Sequence, residues 1–215
     1  ELFETRRIDN NFCATYWPDV SIIDDVSGHP VSVPASVAAV AAMGYNDNVA
    51  YPWFAPAGFN RAALSNVTNV KARLNGADRD TLYEARINPI ASFPNAGFVI
   101  FGQKTLQVMK SALDRVNVRR MLLEVKRQVV AVANQIVFEP NTIETRARFV
   151  SLVTPLLALI QAQQGIEKFK VVMDETNNTD AHVEANILNG KITVIPTRAV
   201  EFISIDFIIT NAGVE

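Results

Sequence analysis

The sequence contains little that could support catalysis. It has one cysteine, Cys13, and two histidines, His29 and His182, among 215 residues. A single cysteine forms no intrachain disulfide, which fits a reducing compartment, and it cannot build a thiolate zinc site. Neither histidine has the spacing of a motif such as H-E-x-x-H, and the nucleophile elbow, Walker loop and dinucleotide fingerprint are also absent. We therefore predict no enzymatic activity, no catalytic residue, no cofactor and no metal.

Two further absences concern partners. The net charge of -2 and a pI near 5.8 leave no whole-chain basic field, so we expect no nucleic-acid partner. No stretch approaches about 20 consecutive apolar residues, so we expect no membrane insertion. The chain begins without Met or a signal pattern, which suggests a segment of a longer protein. Apolar residues make up 49% of the chain and charged residues 20%, which is enough for a packed core.

Two weak constellations leave alternatives open. Cys13 and His182 could pair as a nucleophile and base in a small hydrolase, but Cys13 falls in an apolar strand pattern that favours a buried, inert thiol. The second constellation is an acidic loop, which could ligate a hard cation or form a solvated turn. Its spacing matches no calcium loop, so the turn is favoured. Its acids are Asp174, Glu175, Asp180 and Glu184.

The hydrophobic pattern predicts an α+β fold, in which a mixed or antiparallel sheet packs against two long helices and a short leading segment belongs to an adjacent domain. Residues 12–23 favour a strand, in which Pro18 implies an edge position or a bulge. Residues 34–43 are rich in alanine and favour a short helix that begins with proline. Further strands are predicted at 90–93, 98–101, 169–173, 192–195 and 200–210.

The first long helix, predicted over 117–137, has a basic start. Its apolar stripe falls at spacings of four and three residues, from Val118 to Ile136. Cations at a helix N-terminus oppose the helix dipole. They form either a solvated face with an Arg120–Glu124 pair or a docking face for an acidic partner. The candidate contact residues are Arg115, Arg119, Arg120, Lys126 and Arg127.

The second long helix is predicted to run to about Gln163. Asn141 and Glu144 resemble a capping box at its start, and Pro155 should kink it. Gly165 occupies the position at which a left-handed C-terminal cap is expected.

The last predicted strand, Val200–Thr210, is long, apolar and near the end of the chain, and Glu201 starts the strand face that continues with Ile203. It is either an internal strand of this domain or a strand that completes the sheet of a neighbouring subunit by β-augmentation. The candidate intersubunit residues are Val200, Phe202, Ile203, Ile205, Phe207 and Ile209.

Several motifs resemble the C-terminal region of the contractile phage tail sheath family, particularly the sheaths of T-even-like phages. They are WFAPAGFNRAA at 53–63, DRDTLYEARINPIASF at 78–93, IFGQK at 100–104, DRVNVRR at 114–120, FEPN at 138–141, DETNNT at 174–179 and VEFISIDF at 200–207. The resemblance implies that residues 1–52 end a preceding sheath domain and that residues 53–215 form the C-terminal domain.

The resemblance also implies a structural role without a catalytic residue. Sheath subunits stack as rings around an inner tail tube, contract on a baseplate trigger, and drive the tube through the host envelope. Terminal arms add strands to neighbouring subunits. The implied partners are further copies of the chain, the inner tail tube protein, and baseplate and tail terminator proteins. The protein would be made in the host bacterial cytoplasm and reside in the virion tail. A phage-tail-like bacteriocin or a type VI secretion system remains an alternative source.

Overall fold

The computed structural model describes residues 8–202 of the chain. The helices in this range are α1 Ala35–Val49, α2 Gly76–Glu84, α3 Val116–Ala133, α4 Ile143–Ala162 and α5 Asp180–Glu184. The strands are β1 Thr15–Trp17, β2 Val20–Ile23, β3 Pro30–Val33, β4 Val67–Val70, β5 Ile87–Phe93, β6 Gly97–Ile100, β7 Ile166–Val172 and β8 Lys191–Pro196. This mixture of helices with parallel and antiparallel pairing confirms the predicted α+β class.

The strands form three small sheets. The first has the order β1-β5-β6, with β1 parallel to β5 and β5 antiparallel to β6. The second is antiparallel with the order β3-β2-β4, and the third is the β7–β8 hairpin. The single strand predicted over 12–23 is therefore two strands in different sheets. Pro18 lies between them, because proline has no N–H to donate to a sheet ladder.

The first core lies where α1 meets the two three-stranded sheets. The buried face of α1 consists of small residues from Ala35 to Ala42, which allows the helix to approach the strands closely. It packs near the fully buried Val20, Ile90 and Ile100. The helix predicted at 34–43 is confirmed, and it extends to Val49.

The second core joins α3, α4 and the β7–β8 hairpin. Helix α3 contributes Val118, Met121 and Val125, while α4 contributes a fully buried stripe that includes Val153 and Leu157. The sheet that packs against the two long helices is thus only two-stranded. No described helix has the length and apolarity needed to cross a bilayer.

The ends of α4 differ from the prediction. Thr142, not Asn141, is the N-cap, and its hydroxyl accepts a hydrogen bond from the Thr145 N–H. Asn141 instead donates to the Ile187 carbonyl and accepts from Arg146. At the other end the left-handed residue is Gln164, with φ of 62°, rather than the glycine that follows.

Trp53 ties the loop that follows α1 to the second core. Its ring belongs to the second core, and its indole Nε1 donates to the Gln163 carbonyl at 2.9 Å. The Asn117 side chain at the start of α3 donates to the Trp53 carbonyl at 3.2 Å. Elements on both sides of residue 53 build the first core. The predicted domain boundary between residues 52 and 53 stays a prediction.

Candidate functional site

The guanidinium of Arg115 connects the start of α3 to the end of the described chain. Arg115 is the N-cap residue of α3 in an extended conformation, and its side chain makes no capping hydrogen bond. Instead Nε donates to Oε1 of Glu201 at 2.7 Å and Nη2 donates to Oε2 at 2.8 Å. This two-point geometry is the strongest arrangement that an arginine and a carboxylate can form. It joins residues 86 positions apart in sequence.

Two more donors converge on Glu201. The Tyr83 hydroxyl from α2 donates to Oε2 at 3.1 Å, and Gln103 Nε2 donates to Oε1 at 3.2 Å. We call Tyr83, Gln103, Arg115 and Glu201 the Glu201 cluster. Only 21% of the Glu201 side chain and 25% of the Arg115 side chain are exposed, so much of the pair is shielded from water.

The Glu201 cluster shifts the titration of its members. Burial raises the pKa of Glu201, but the hydrogen bonds and charge of Arg115, with those from Gln103 and Tyr83, more than offset it, so the pKa lies below its ordinary value. Burial lowers the pKa of the neighbouring Lys104, and the Arg115 charge lowers it further. Glu201 is therefore a carboxylate at neutral pH and acts as an acceptor for all its donors.

The next two arginines of α3 also contact other parts of the chain. Arg120 Nη2 donates to Oδ1 of Asp47 in α1 at 2.6 Å, and the Arg119 guanidinium lies over the Phe12 ring. The predicted Arg120–Glu124 pair is wrong. Glu124 pairs with Arg127, and Arg120 points instead across the junction between the two cores.

The five residues of the predicted basic face therefore fall into two groups, one that contacts other elements of the chain and one that is exposed on α3. Arg115, Arg119 and Arg120 contact other elements of the chain, whereas Arg127 pairs only with Glu124 of its own helix among the described residues and keeps 71% of its side chain exposed. Lys126 is exposed, and within residues 8–202 no ion pair involves it. Contact of these five residues with a tube or a second subunit stays a prediction.

Only part of the predicted terminal strand can be compared with the structure. Val200 and Phe202 are exposed and not in a strand, although the Phe202 ring packs edge-on against Tyr83. Ile203, Ile205, Phe207 and Ile209 lie outside the described residues.

The weak constellations found in the sequence have structural explanations. Cys13 lies before β1 and is exposed, so the expectation of a buried thiol is wrong. The His182 ring accepts a hydrogen bond from the Thr179 N–H at the start of α5 and so caps a helix. Asp174 accepts hydrogen bonds from Thr176 within its own loop. No cluster of three potential metal ligands occurs in the part of the chain that the structure describes.

Sequence reasoning did not find the partners of the basic residues. Glu201 appeared only as a member of a strand face, and Tyr83 and Asp47 had no apparent role. Their contacts with α3 span between 32 and 86 sequence positions. No local pattern signals contacts of that range.

Comparisons with known proteins agree along almost the whole chain. Residues 4–106 match the family model "Phage tail sheath protein central domain", and residues 109–210 match "Phage tail sheath C-terminal domain". The tail sheath protein of Vibrio phage KVP40 is 38% identical over 80% of this chain and 26% of that protein. The tail sheath protein of Enterobacteria phage T4 is 32% identical over 86% of this chain and 28% of that protein.

Solved structures share the fold. The baseplate structure of the anti-feeding prophage aligns over 94% of this chain and 56% of that chain, with a TM-score of 0.84 at 23% identity. The contracted sheath complex of the PVC extracellular contractile injection system aligns over 93% and 56%, with a TM-score of 0.83 at 24% identity. The chain spans about a quarter of the length of the curated relatives it matches. It belongs to the phage tail sheath family and contains segments that match both the central and the C-terminal domain.

Proposed function

We propose that this chain is part of a structural subunit of a contractile phage tail sheath, which polymerises around an inner tube and contracts to drive that tube through the host envelope. The observation that carries the proposal is the ordered match to two successive sheath domains across residues 4–210, together with relatives named tail sheath proteins. The role requires no catalysis, and the polar cluster around Glu201 joins separate parts of the chain to one another.

The internal ties support a subunit that moves as a rigid body. Hydrogen bonds of Trp53 tie the loop after α1 to α3 and α4, and Arg120 of α3 pairs with Asp47 of α1. A sheath that rearranges between two lattices must rotate whole subunits without opening their cores. The hydrogen bonds of Trp53 and the Arg120–Asp47 pair oppose an opening of the cores.

We place contact with an acidic tube on the outer part of α3, where Lys126 and Arg127 are exposed. Solvent-exposed charge contacts are individually weak and are screened by salt. They can therefore form in one state of the sheath and break when the ring expands. The inward-tied Arg115 and Arg120 can contribute to such a contact only by giving up their internal partners.

The further partners are additional copies of the subunit, the tube protein, and baseplate and tail terminator proteins. The protein would be made in the host cytoplasm and incorporated into the virion tail. A phage tail is favoured over a bacteriocin or a secretion system because the named relatives come from phages.

The test is negative-stain electron microscopy of the purified full-length protein across a range of salt concentrations. We expect tubular polymers of constant diameter. Monomers alone under every salt condition would contradict the proposal.

A further inference from the structure

Over residues 197–202, the backbone beyond β8 makes a hydrogen bond to another backbone group at one point. Thr197 donates a backbone hydrogen bond to the Gly165 carbonyl at 3.3 Å, and residues 198–202 form no other backbone–backbone hydrogen bond with a described residue. A groove of about 510 Å³ runs beneath this segment, between it and the aromatic side chains Trp53, Phe54 and Phe101. The segment therefore crosses open space until its next fixed contact, which is Glu201.

The contacts of Glu201 come from three separate parts of the folded body. Tyr83 lies in α2, Gln103 follows β6, and Arg115 begins α3. A partly buried carboxylate is stable only where its donors are correctly placed, so this cluster accepts Glu201 in one geometry. The Phe202 ring, packed on Tyr83, continues the same contact by one residue.

We propose that Glu201 is a positioning residue that fixes where the last segment of the chain leaves the body and transmits tension on that segment to α3. This inference rests on the proposed function and on the prediction from the sequence that Val200–Thr210 completes the sheet of a neighbouring subunit. Tension from beyond residue 202 then reaches the Arg115–Glu201 pair first. The β7–β8 hairpin, which precedes Glu201 in the chain, then does not carry that tension.

Without this anchor, the same tension would reach the end of β8. Pro196 faces Ile166 at that end of the antiparallel ladder, so pulling there would stress the β7–β8 pairs one after another. A hydrogen-bond ladder that opens one pair at a time resists force poorly, because the force acts on only one pair of hydrogen bonds at any moment. The Glu201 cluster instead presents four donor bonds to one side chain, two of them charged.

Arg198 provides a local test, since it is an exposed trypsin site between β8 and the anchor. Proteases need several residues on each side of the cut in an extended, released chain. We expect Glu201→Gln in the full-length protein to accelerate cleavage after Arg198 roughly tenfold or more, relative to cleavage after Arg73 in a distant loop. Glu184→Gln removes an exposed carboxylate from α5 and serves as the matched control, with no acceleration expected. An unchanged rate after Arg198 in Glu201→Gln would overturn the proposal.

Measuring polymer formation by wild type and the same two variants distinguishes a failure of this inference from a failure of the proposed function. If wild type and Glu184→Gln form polymers while Glu201→Gln, shown by circular dichroism to be folded under the assembly conditions, forms several-fold fewer, the anchor is supported. If Glu201→Gln polymerises as wild type does, the positioning role is wrong and the sheath assignment stands. If wild type forms no polymer, the sheath assignment fails, and the cleavage rates still decide whether Glu201 holds the segment.

Discussion

Gly165 lies directly against the indole of Trp53. A Cβ atom on residue 165 would lie 2.9 Å from two carbons of that ring and 2.8 Å from a methyl carbon of Ile160. The glycine is therefore required by close approach, since the left-handed backbone expected there belongs to Gln164. The packing of Trp53 into the second core therefore depends on a residue without a side chain.

Substitution Gly165→Ala should destabilise the chain by about 1–3 kcal/mol, because a methyl group at that distance forces the ring or the helix end to shift. Gly44→Ala is the matched control: it lies within α1, has nothing within 4 Å of the added carbon, and should stabilise by about 0.5–1 kcal/mol. Denaturant unfolding followed by tryptophan fluorescence measures both. Equal effects of the same sign would refute the packing explanation.

The buried side chain of Asn178 should be a second sensitive position. It donates to the carbonyls of Asp174 and Asn189 and accepts from the Asn189 N–H at 2.6 Å, which fixes the loop that leads back into β8. Asn178→Ala removes the side-chain partner of the Asn189 carbonyl and N–H, while the Asp174 carbonyl keeps the Asn178 backbone N–H, and should cost about 2–3 kcal/mol in unfolding free energy. Glu175→Ala, in the same loop but exposed, should remain within about 0.5 kcal/mol of wild type. A comparable loss in both variants would show that the loop as a whole, not Asn178, is sensitive.

Charge-reversal variants should distinguish the cation of α3 that pairs with another helix from the exposed cation further along α3. Arg120→Glu places a carboxylate beside Asp47 and should lower the unfolding free energy by about 1–3 kcal/mol. Lys126→Glu should leave stability unchanged and should weaken co-sedimentation with tube protein at low salt. A stable Arg120→Glu variant, or a Lys126→Glu variant that binds the tube normally, would contradict this division.

The stability contributed by Glu201 should depend on pH in a defined direction. Its pKa is lowered in the folded chain, so the contribution is present above the ordinary glutamate pKa of about 4.3 and is lost as the pH falls through the lower folded value. Arg115 keeps its charge throughout. The difference in unfolding midpoint between wild type and Glu201→Gln should be constant from about pH 7 to pH 5 and should vanish in more acidic solution. A difference that grows below pH 4 would reverse the assigned sign.

Local patterns in the sequence were sufficient for most elements. The stripe from Val118 to Ile136 predicted α3, and the alanines after Pro34 predicted α1, because each pattern follows from helix geometry within one segment. The hairpin strands at 90–93 and 98–101 were signalled by the turn between them. These features depend on neighbours only a few residues away.

The long-range partners of individual side chains could not be predicted from local patterns. Thr142 and Asn141 are both good capping residues, but the Asn141 side chain is hydrogen-bonded to Ile187 and Arg146, and Thr142 caps the helix. Arg120 had an adequate partner one helical turn away in Glu124, yet it pairs with Asp47 because α1 packs beside it. Glu201 was assigned to a strand face because nothing near it in sequence reveals Arg115.

The proposed contractile role is tested most directly on intact tails that contain this protein. Cryo-electron microscopy measures the length and diameter of their sheath before and after contact with host cells. The account predicts a sheath built of this protein that becomes shorter and wider, with the tube protruding beyond it. A tail whose dimensions stay the same, or whose sheath lacks this protein, would contradict it.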